Sequence, residues 1–327
     1  MKHMKILITG GAGFIGSAIA KKLIDRGDTV VLIDNFNDYY DPQLKRDRIK
    51  KFLKGYEKPV RRGGGFTLYK GDIRDRKFLE KVFKKENLDK IVHLAAMAGV
   101  RYAIEHPLLY VDVNVMGTTN MLDIAVKYKI KNFVYASSSS VYGNNKKLPF
   151  SESDPVDTPI SPYAASKKAT ELLAHCFSHI HGLKTTGLRF FTVYGPWGRP
   201  DMALFKFVKN ILAGKPIDVY NRGKMSRNFT YIDDIVTGTI TVLDADLPCG
   251  VMNIGGDKEE QLLRYIAVIE ECLGKRAKKN LLPMQPGDVP CTVADIRKLR
   301  KLGWKPTTRI EEGIKNFVAW YKMYYKI

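Results

Sequence analysis

A tyrosine and a lysine stand four residues apart in the segment SPYAASKKA, as Tyr163 and Lys167. The segment predicts a helix, on which this spacing brings both side chains to one face. An ammonium group near a phenol favours the phenolate, so the pKa of Tyr163 would fall from about 10 toward neutrality and make it a general base. The run ASSSSVYG (136–143) ends a predicted strand, which is where ligands bind in open α/β sheets. Together the segments predict a proton-transfer site.

A glycine-rich turn precedes the first helical segment. Gly10, Gly13 and Gly16 lie between a predicted strand and a predicted helix. Their missing side chains allow a tight turn and let the backbone approach a pyrophosphate, to which the helix N-terminus adds positive potential. Asp34 ends the next strand, where its carboxylate would accept hydrogen bonds from a ribose hydroxyl and repel a 2′-phosphate. Since Asn35 follows it, and not an arginine, we predict NAD rather than NADP. The cationic nicotinamide ring of NAD⁺ would then act together with Lys167 to lower the pKa of Tyr163.

The elements that carry these residues alternate between strands and helices. Apolar runs predict the strands and amphipathic stretches predict the helices between them. The strands are expected at 4–9, 29–34, 66–70, 89–95, 131–138 and 183–190, and the helices at 13–27, 75–85, 107–128 and 161–181. This order predicts an α/β fold with a doubly wound parallel (Rossmann) sheet.

The chain after residue 190 has a looser pattern, rich in Gly and Pro, which predicts a smaller α/β C-terminal substrate domain. Its elements are expected as helices near 201–213, 233–244, 258–273 and 309–325 and strands near 217–220 and 278–282. We predict an NAD-binding domain over 1–190, to which elements near 229–250 return, and a mainly substrate-binding domain over 191–327.

The composition bears on the partners and the location. The chain has 327 residues and a net charge of +20, but its basic residues are spread along its length, which predicts a solvated basic surface and no nucleic-acid partner. No apolar run approaches the roughly 18 residues that span a bilayer, so no membrane partner is expected. Four scattered cysteines, and a first strand that leaves no room for a signal peptide, favour the cytoplasm. The pair His175 and His179 lacks a third ligand, so no metal is expected.

Four motifs together resemble the extended short-chain dehydrogenase/reductase family of sugar-nucleotide enzymes, over the whole chain. They are TGGAGFIG (9–16), Asp34, the serines before VYG, and YAASK (163–167). The resemblance implies that Tyr163 is the base, that Lys167 holds the nicotinamide ribose and that Ser138 hydrogen-bonds the sugar hydroxyl. Asp72, after the third strand, would meet the adenine. The other residues expected at the cofactor are Phe14, Ile15, Ile73, Leu94, Ala95, Ala96 and Asn114.

Five separated segments resemble the UDP-glucuronate 4-epimerases of that family: 33–49, 95–107, 189–203, 227–235 and 285–290. The resemblance implies NAD-dependent C4 epimerisation of UDP-glucuronate to UDP-galacturonate through a transient 4-keto sugar, for polysaccharide biosynthesis. It also implies a homodimer formed through the helices at 107–128 and 161–181.

The same resemblance assigns residues to the UDP part of the substrate. Arg227 would bind the phosphates from one side and Arg101 from the other. Asp288 would meet the uridine ribose, and the strand at 217–222 the uracil.

A 4-keto uronic acid is a β-keto acid and loses CO₂ readily, so an epimerase must hold the carboxylate out of alignment with the carbonyl. Arg199 lies in the stiff Gly-Pro loop 192–202 and suits a carboxylate geometrically. We expect it to act with Thr192, Ser139 and Ser140. These two serines stand where the family's dehydratases and decarboxylases carry carboxylic acids.

Alternative functions stay open on the sequence. A C4 epimerase of another UDP-sugar (UDP-glucose or galactose, an N-acetylhexosamine or its uronic acid) shares most of the motifs. A UDP-glucuronate decarboxylase is less favoured, because the serine cluster lacks an acid. A non-catalytic NAD-binding protein is disfavoured by the intact set of Ser138, Tyr163 and Lys167.

Overall fold

A computed structural model describes residues 3–56 and 64–327. Its centre is a seven-stranded sheet in the order β3-β2-β1-β4-β5-β6-β11, with every neighbouring pair parallel. The strands are β1 (Lys5–Thr9), β2 (Thr29–Asp34), β3 (Gly65–Lys70), β4 (Lys90–His93), β5 (Asn132–Ser138), β6 (Thr185–Phe190), β7 (Val193–Tyr194), β8 (Ile217–Val219), β9 (Ser226–Arg227), β10 (Thr230–Tyr231), β11 (Cys249–Ile254), β12 (Glu260–Gln261), β13 (Lys279–Leu281) and β14 (Cys291–Thr292). The predicted doubly wound parallel sheet is confirmed.

Helices cover both faces of this sheet. They are α1 (Phe14–Asp25), α2 (Pro42–Asp47), α3 (Arg76–Glu86), α4 (Val100–Glu105), α5 (Pro107–Tyr110), α6 (Gly117–Lys127), α7 (Pro162–His181), α8 (Ala203–Leu212), α9 (Ile232–Ala245), α10 (Leu262–Leu273), α11 (Arg297–Arg300) and α12 (Ile310–Tyr325). None of the helices in the described ranges has both the length and the apolar composition that crossing a membrane requires.

Two hydrophobic cores form because the strands are apolar on both faces. In β1, Ile6 and Ile8 point into the core that α1 and α9 cover, while Leu7 points into the core under α3, α6 and α7. Side chains of α8, α10 and α12 extend the first core. The C-terminal segments therefore lie against the α1 side of the sheet.

The ends of α7 show how local sequence positions the expected catalytic pair. The Ser161 hydroxyl accepts a hydrogen bond from the Ala164 amide (3.1 Å), and Pro162 occupies the first turn. Gly182 ends the helix in the left-handed conformation. The helix thus begins directly before Tyr163.

Two helical stretches contain a π-helical segment, Arg48–Phe52 after α2 and Val111–Met116 between α5 and α6. Such segments insert an extra residue into a helix and are frequent at functional sites. The predicted helix over 107–128 is present, interrupted in this way.

The sequence predicted no strand at β11, although this strand completes the sheet beside β6. Its residues CGVMNI include Gly250 and Asn253, which have low strand propensity, and its first two residues are exposed. Helix α9, which precedes it, packs against α1.

Candidate active site

A cavity of about 870 Å³ opens at the carboxyl ends of β1, β2, β4, β5 and β6. It extends from the glycine-rich turn past the Tyr163 helix to the C-terminal segments. The residues predicted for the cofactor that line it are Gly10, Gly13, Phe14, Ile15, Gly16, Asp34, Asn35, Asp72, Ile73, Leu94, Ala95, Ala96, Tyr163 and Lys167. The residues predicted for the substrate that line it are Arg101, Ser138, Ser139, Ser140, Thr192, Arg199, Arg227 and Asp288.

Two glycines of the glycine-rich turn leave no room for a side chain. Gly10 has a φ of +68°, and a Cβ there would stand 2.9 Å from the Ala95 amide nitrogen. A Cβ on Gly13 would stand 2.9 Å from the Gly10 carbonyl oxygen, and Gly13 is also the N-cap of α1. The turn presents backbone amides and the positive end of α1 to the cavity, which fits a dinucleotide pyrophosphate.

Asp34 is held at the end of β2 by two backbone amides, from Ala12 (3.1 Å) and Phe36 (2.8 Å). The ammonium of Lys45, a residue not predicted for the site from the sequence, lies 3.8 Å from the Asp34 carboxylate. Lys45 is buried, and burial lowers its pKa, against the effect of Asp34. Its sequence context, a run of basic residues, indicates a solvated helix face and so gave no signal.

Asp72 accepts hydrogen bonds from the Asn35 amide (2.9 Å) and from Arg74 (2.8 and 2.9 Å). The Arg74 guanidinium lowers the pKa of Asp72 to about 2. The carboxylate therefore stays ionised, as an acceptor for an amino group would require.

Asn114 does not line the cavity, in contrast to the sequence-based expectation. Its side-chain amide bonds both backbone groups of Met97 (2.8 and 3.0 Å) and the Ser166 hydroxyl (2.9 Å). These bonds use its oxygen and both hydrogens. Asn114 lies in the π-helical segment and joins the loop after β4 to α7.

The predicted catalytic residues converge between β5 and α7. The Lys167 ammonium donates to the Ala136 carbonyl (2.7 Å). Burial lowers the pKa of Lys167 to about 8, against the opposing charge of Glu171. Ser138 ends β5, and its hydroxyl accepts the Ser140 amide (3.1 Å).

In the chain without a cofactor, the pKa of Tyr163 lies above its ordinary value of 10, whereas the predicted fall concerns the phenol beside both Lys167 and a cationic nicotinamide ring. Burial raises it, while the Ser138 hydroxyl and the charge of Arg199 act to lower it. A cationic nicotinamide ring beside the phenol would lower this pKa further, in the same direction as Arg199.

A buried charged network that the sequence did not indicate lies behind Lys167. Arg189 donates two hydrogen bonds to the Glu171 carboxylate (2.8 Å each), and the Ser137 hydroxyl donates a third (2.6 Å). Arg189 also donates to the Tyr142 hydroxyl (3.0 Å). The pair is nearly inaccessible to solvent, with 3% and 6% of the side chains exposed. It fixes the ends of β5 and β6 against α7.

Arg199 lines the cavity, and it has a partner, Asp201, that was not predicted from the sequence. Its Nε and Nη2 donate to the Asp201 carboxylate (3.0 and 2.5 Å), which also accepts from the Tyr39 hydroxyl (3.1 Å). Burial opposes both charges, yet the ion pair raises the pKa of Arg199 and lowers that of Asp201. Nη2 also donates to the Ala98 carbonyl (3.3 Å), and the hydrogen bonds found among the described residues leave Nη1 unused in a side chain that lines the cavity.

The far end of the cavity combines three groups of the predicted UDP site. Arg101 lies over the Tyr220 ring, 4.7 Å from its centroid, and 3.4 Å from the Asp288 carboxylate. Arg227 donates hydrogen bonds to the carbonyls of Ser226 and Pro290. Burial lowers the pKa of Arg227, and the negative charge of Asp288 acts to raise it. The arrangement offers two guanidinium groups and an aromatic face to a nucleotide diphosphate.

The chain is similar in sequence to known proteins over nearly its whole length. Residues 6–255 match the model of the NAD dependent epimerase/dehydratase family. The chain is 47% identical to UDP-glucuronate 4-epimerase 4 of Arabidopsis thaliana, over 98% of this chain and 76% of that protein. It is 44% identical to the probable UDP-glucuronate 4-epimerase of Rhizobium meliloti, over 99% of this chain and 98% of that protein.

The fold of the chain is similar to that of a solved structure over nearly its whole length. The UDP-glucuronic acid 4-epimerase from Bacillus cereus, in complex with UDP-glucuronic acid and NAD, matches with a TM-score of 0.88 at 35% identity. The match covers 98% of this chain and 100% of that chain. These similarities confirm the resemblance drawn from the motifs.

Proposed function

The chain belongs to the NAD dependent epimerase/dehydratase family, and we propose that it converts UDP-glucuronate to UDP-galacturonate by NAD-dependent C4 epimerisation. The observation that carries the proposal is the convergence, in one cavity, of Ser138, Tyr163 and Lys167 with the cation of Arg199. The first three supply proton transfer at a sugar hydroxyl, and the fourth suits a uronic acid.

NAD, when bound, supplies the hydride acceptor and donor at C4. Tyr163 takes the proton of the C4 hydroxyl and later returns it, while Ser138 orients that hydroxyl. Lys167 would hold the nicotinamide ribose, and its ammonium would add positive charge near the phenolate. Because the 4-keto sugar is fixed to the protein through its diphosphate, its ring can turn over and present the opposite face.

Arg199 would keep the carboxylate of the 4-keto sugar from aligning for loss of CO₂. Asp201 already occupies Nε and Nη2, so the guanidinium is fixed and offers Nη1 to the substrate. Thr192, Ser139 and Ser140 line the same cavity and would donate further hydrogen bonds. Within the serine cluster no carboxylic acid is present to assist decarboxylation or elimination.

Resolving the products of parallel incubations with UDP-glucuronate, UDP-galacturonate and UDP-glucose tests the proposal. We expect the two uronates to interconvert without change of mass. A UDP-pentose as the main product would instead identify a decarboxylase. Turnover confined to UDP-glucose would identify an epimerase of neutral sugars, and an absence of turnover of all three would contradict the proposal.

The role of Arg199 is tested by its replacement with Ala, followed by measurement of pentose against epimer. This change leaves Asp201 without its partner, so the double change of Arg199→Ala with Asp201→Ala is the matched control. Both are expected to raise the share of pentose. An unchanged ratio of epimer to pentose in both variants would refute the assignment.

The protein is proposed to act as a homodimer in the cytoplasm and to supply polysaccharide biosynthesis. Large apolar side chains are exposed on α4, α5 and the following π-helical segment, and on α7, which packs against them. They include Ile104, Leu108, Val111, Met116 and Leu172, of which Leu108 is 83% exposed. All four cysteines carry free thiols, which agrees with a reducing compartment. Light scattering of the wild type and of Leu108→Lys measures the oligomeric state; a monomeric wild type would contradict the dimer.

A further inference from the structure

Arg48, at the start of the first π-helical segment, is completely buried, with no carboxylate within ion-pair distance among the described residues. Its guanidinium instead donates to backbone carbonyls on two separate loops. Nη1 bonds the Ala12 carbonyl (3.2 Å) and the Tyr40 hydroxyl (2.7 Å). Nε and Nη2 bond the Trp197 carbonyl (3.1 and 2.7 Å), and Nη2 approaches the Gly198 carbonyl (3.4 Å). One side chain therefore joins the two loops.

These loops have different tasks in the site. Ala12 lies in the glycine-rich turn that fits a dinucleotide, whereas Trp197 and Gly198 immediately precede Arg199. Trp197 has a φ of +63°, which is an unfavourable conformation for a bulky side chain. Strained backbone of this kind persists only when its surroundings hold it, and it is concentrated at functional sites.

Two sets of contacts hold Trp197 in this conformation. Its ring packs against Phe52 (5.8 Å between centroids) and Trp320 (5.4 Å). Its carbonyl accepts two hydrogen bonds from Arg48. A buried unpaired charge is unfavourable for folding, so an arginine at this position needs a reason beyond filling space.

We infer that Arg48 is a positioning residue that fixes the loop carrying Arg199 relative to the cofactor loop. The planar fork of the guanidinium meets acceptors in two directions, which an ammonium cannot reproduce from one nitrogen. The anchoring of the loop is independent of the proposed function, whereas its consequence for a substrate carboxylate rests on that function.

The test compares Arg48→Met and Arg48→Lys with the wild type. Arg46→Met is the matched control, because Arg46 is exposed on the adjoining turn. Amide hydrogen exchange over residues 195–202 reports on the anchoring without any substrate. In the wild type, the amides of Gly198 and Met202 are hydrogen-bonded within this loop (3.1 and 3.2 Å).

We expect exchange over 195–202 to accelerate by about tenfold or more in Arg48→Met, the factor that one lost charge-assisted hydrogen bond corresponds to. Arg48→Lys should lie between this variant and the wild type. Exchange in the central strands should be unchanged, which separates loss of anchoring from loss of the fold. Wild-type exchange of the loop in Arg48→Met would overturn the inference.

Calorimetric affinities of the NAD-loaded proteins for UDP-glucuronate and UDP-glucose report on the carboxylate site. The wild type should prefer UDP-glucuronate, and Arg48→Met should lose most of that preference while the affinity for UDP itself is retained. A retained preference in Arg48→Met would contradict the positioning of Arg199. A wild type without preference would contradict the proposed function instead, and the exchange result would still decide whether Arg48 anchors the loop.

Discussion

Replacement of Lys167 by Met is expected to stabilise the NAD-free protein while it abolishes activity. The Lys167 side chain is buried, and burial lowers its pKa from 10.5 to about 8. Since each tenfold change in an acid dissociation constant is worth about 1.4 kcal/mol, this difference corresponds to about 3 kcal/mol of lost stability at neutral pH. Methionine also leaves the Ala136 carbonyl without its hydrogen-bond donor, which reduces the gain in stability by about 1 kcal/mol. The expected net gain is about 2 kcal/mol near pH 7.

The pH dependence gives the sharper measurement. Between the pKa of about 8 in the folded state and 10.5 in the unfolded state, the unfolded chain binds more protons at Lys167. Above about pH 10.5, Lys167 is neutral in both states and costs the folded protein no stability. As the pH falls below 10.5 the unfolded state gains protons first, so stability is lost, and the loss is complete once the pH has fallen through about 8. The advantage of Lys167→Met should shrink by about 2 kcal/mol between about pH 7 and about pH 9.5.

Urea unfolding of both NAD-free proteins at several pH values measures this difference. Lys168→Met is the control, because Lys168 neighbours the site but forms only a 3.6 Å pair with the exposed Asp157. Its stability should differ from that of the wild type by less than about 1 kcal/mol at every pH. A difference in stability between Lys167→Met and the wild type that is independent of pH would contradict a Lys167 pKa of about 8 in the folded state.

Three further changes test other parts of the site. Tyr163→Phe should lower kcat by about 10²- to 10⁴-fold in a turnover assay; substantial remaining turnover would exclude it as the base. Gly16→Ala should weaken NAD binding in a fluorescence titration by about tenfold or more, because its Cβ would overlap the Gly10 carbonyl oxygen; wild-type affinity would contradict the tight turn. Glu171→Gln should reduce the free energy of unfolding by about 3–5 kcal/mol in denaturant, because it leaves the buried Arg189 without its counter-charge; a loss below about 1 kcal/mol would show that the network relaxes.

Most of the fold could be predicted from the sequence, because its strands are continuous apolar runs between amphipathic helices. The helix at α7 carries its own start and stop signals in Ser161, Pro162 and Gly182. Strand β11 lacked such a pattern, since it lies at the sheet edge and contains residues of low strand propensity. Only pairing with β6 makes it a strand.

The sequence by itself determined the residues whose chemistry depends on local spacing. The glycine turn, Asp34 at a strand end and the pair of Tyr163 and Lys167 each follow from neighbours a few positions away. The residues predicted from these motifs line the cavity, whereas Asn114, expected at the cofactor after the family resemblance, uses its amide inside the protein.

The tertiary structure alone decided which charges meet and how they are solvated. Arg48 contacts Ala12 and Trp197, which are 36 and 149 positions away, so no local pattern reveals its partners. The pKa of Tyr163 is raised because packing removes water from the phenol, an effect that spacing along a helix does not contain. The sequence therefore determines which reactive groups are close together along the chain. The dielectric environment of these groups and their pairing with distant residues arise only when the chain folds.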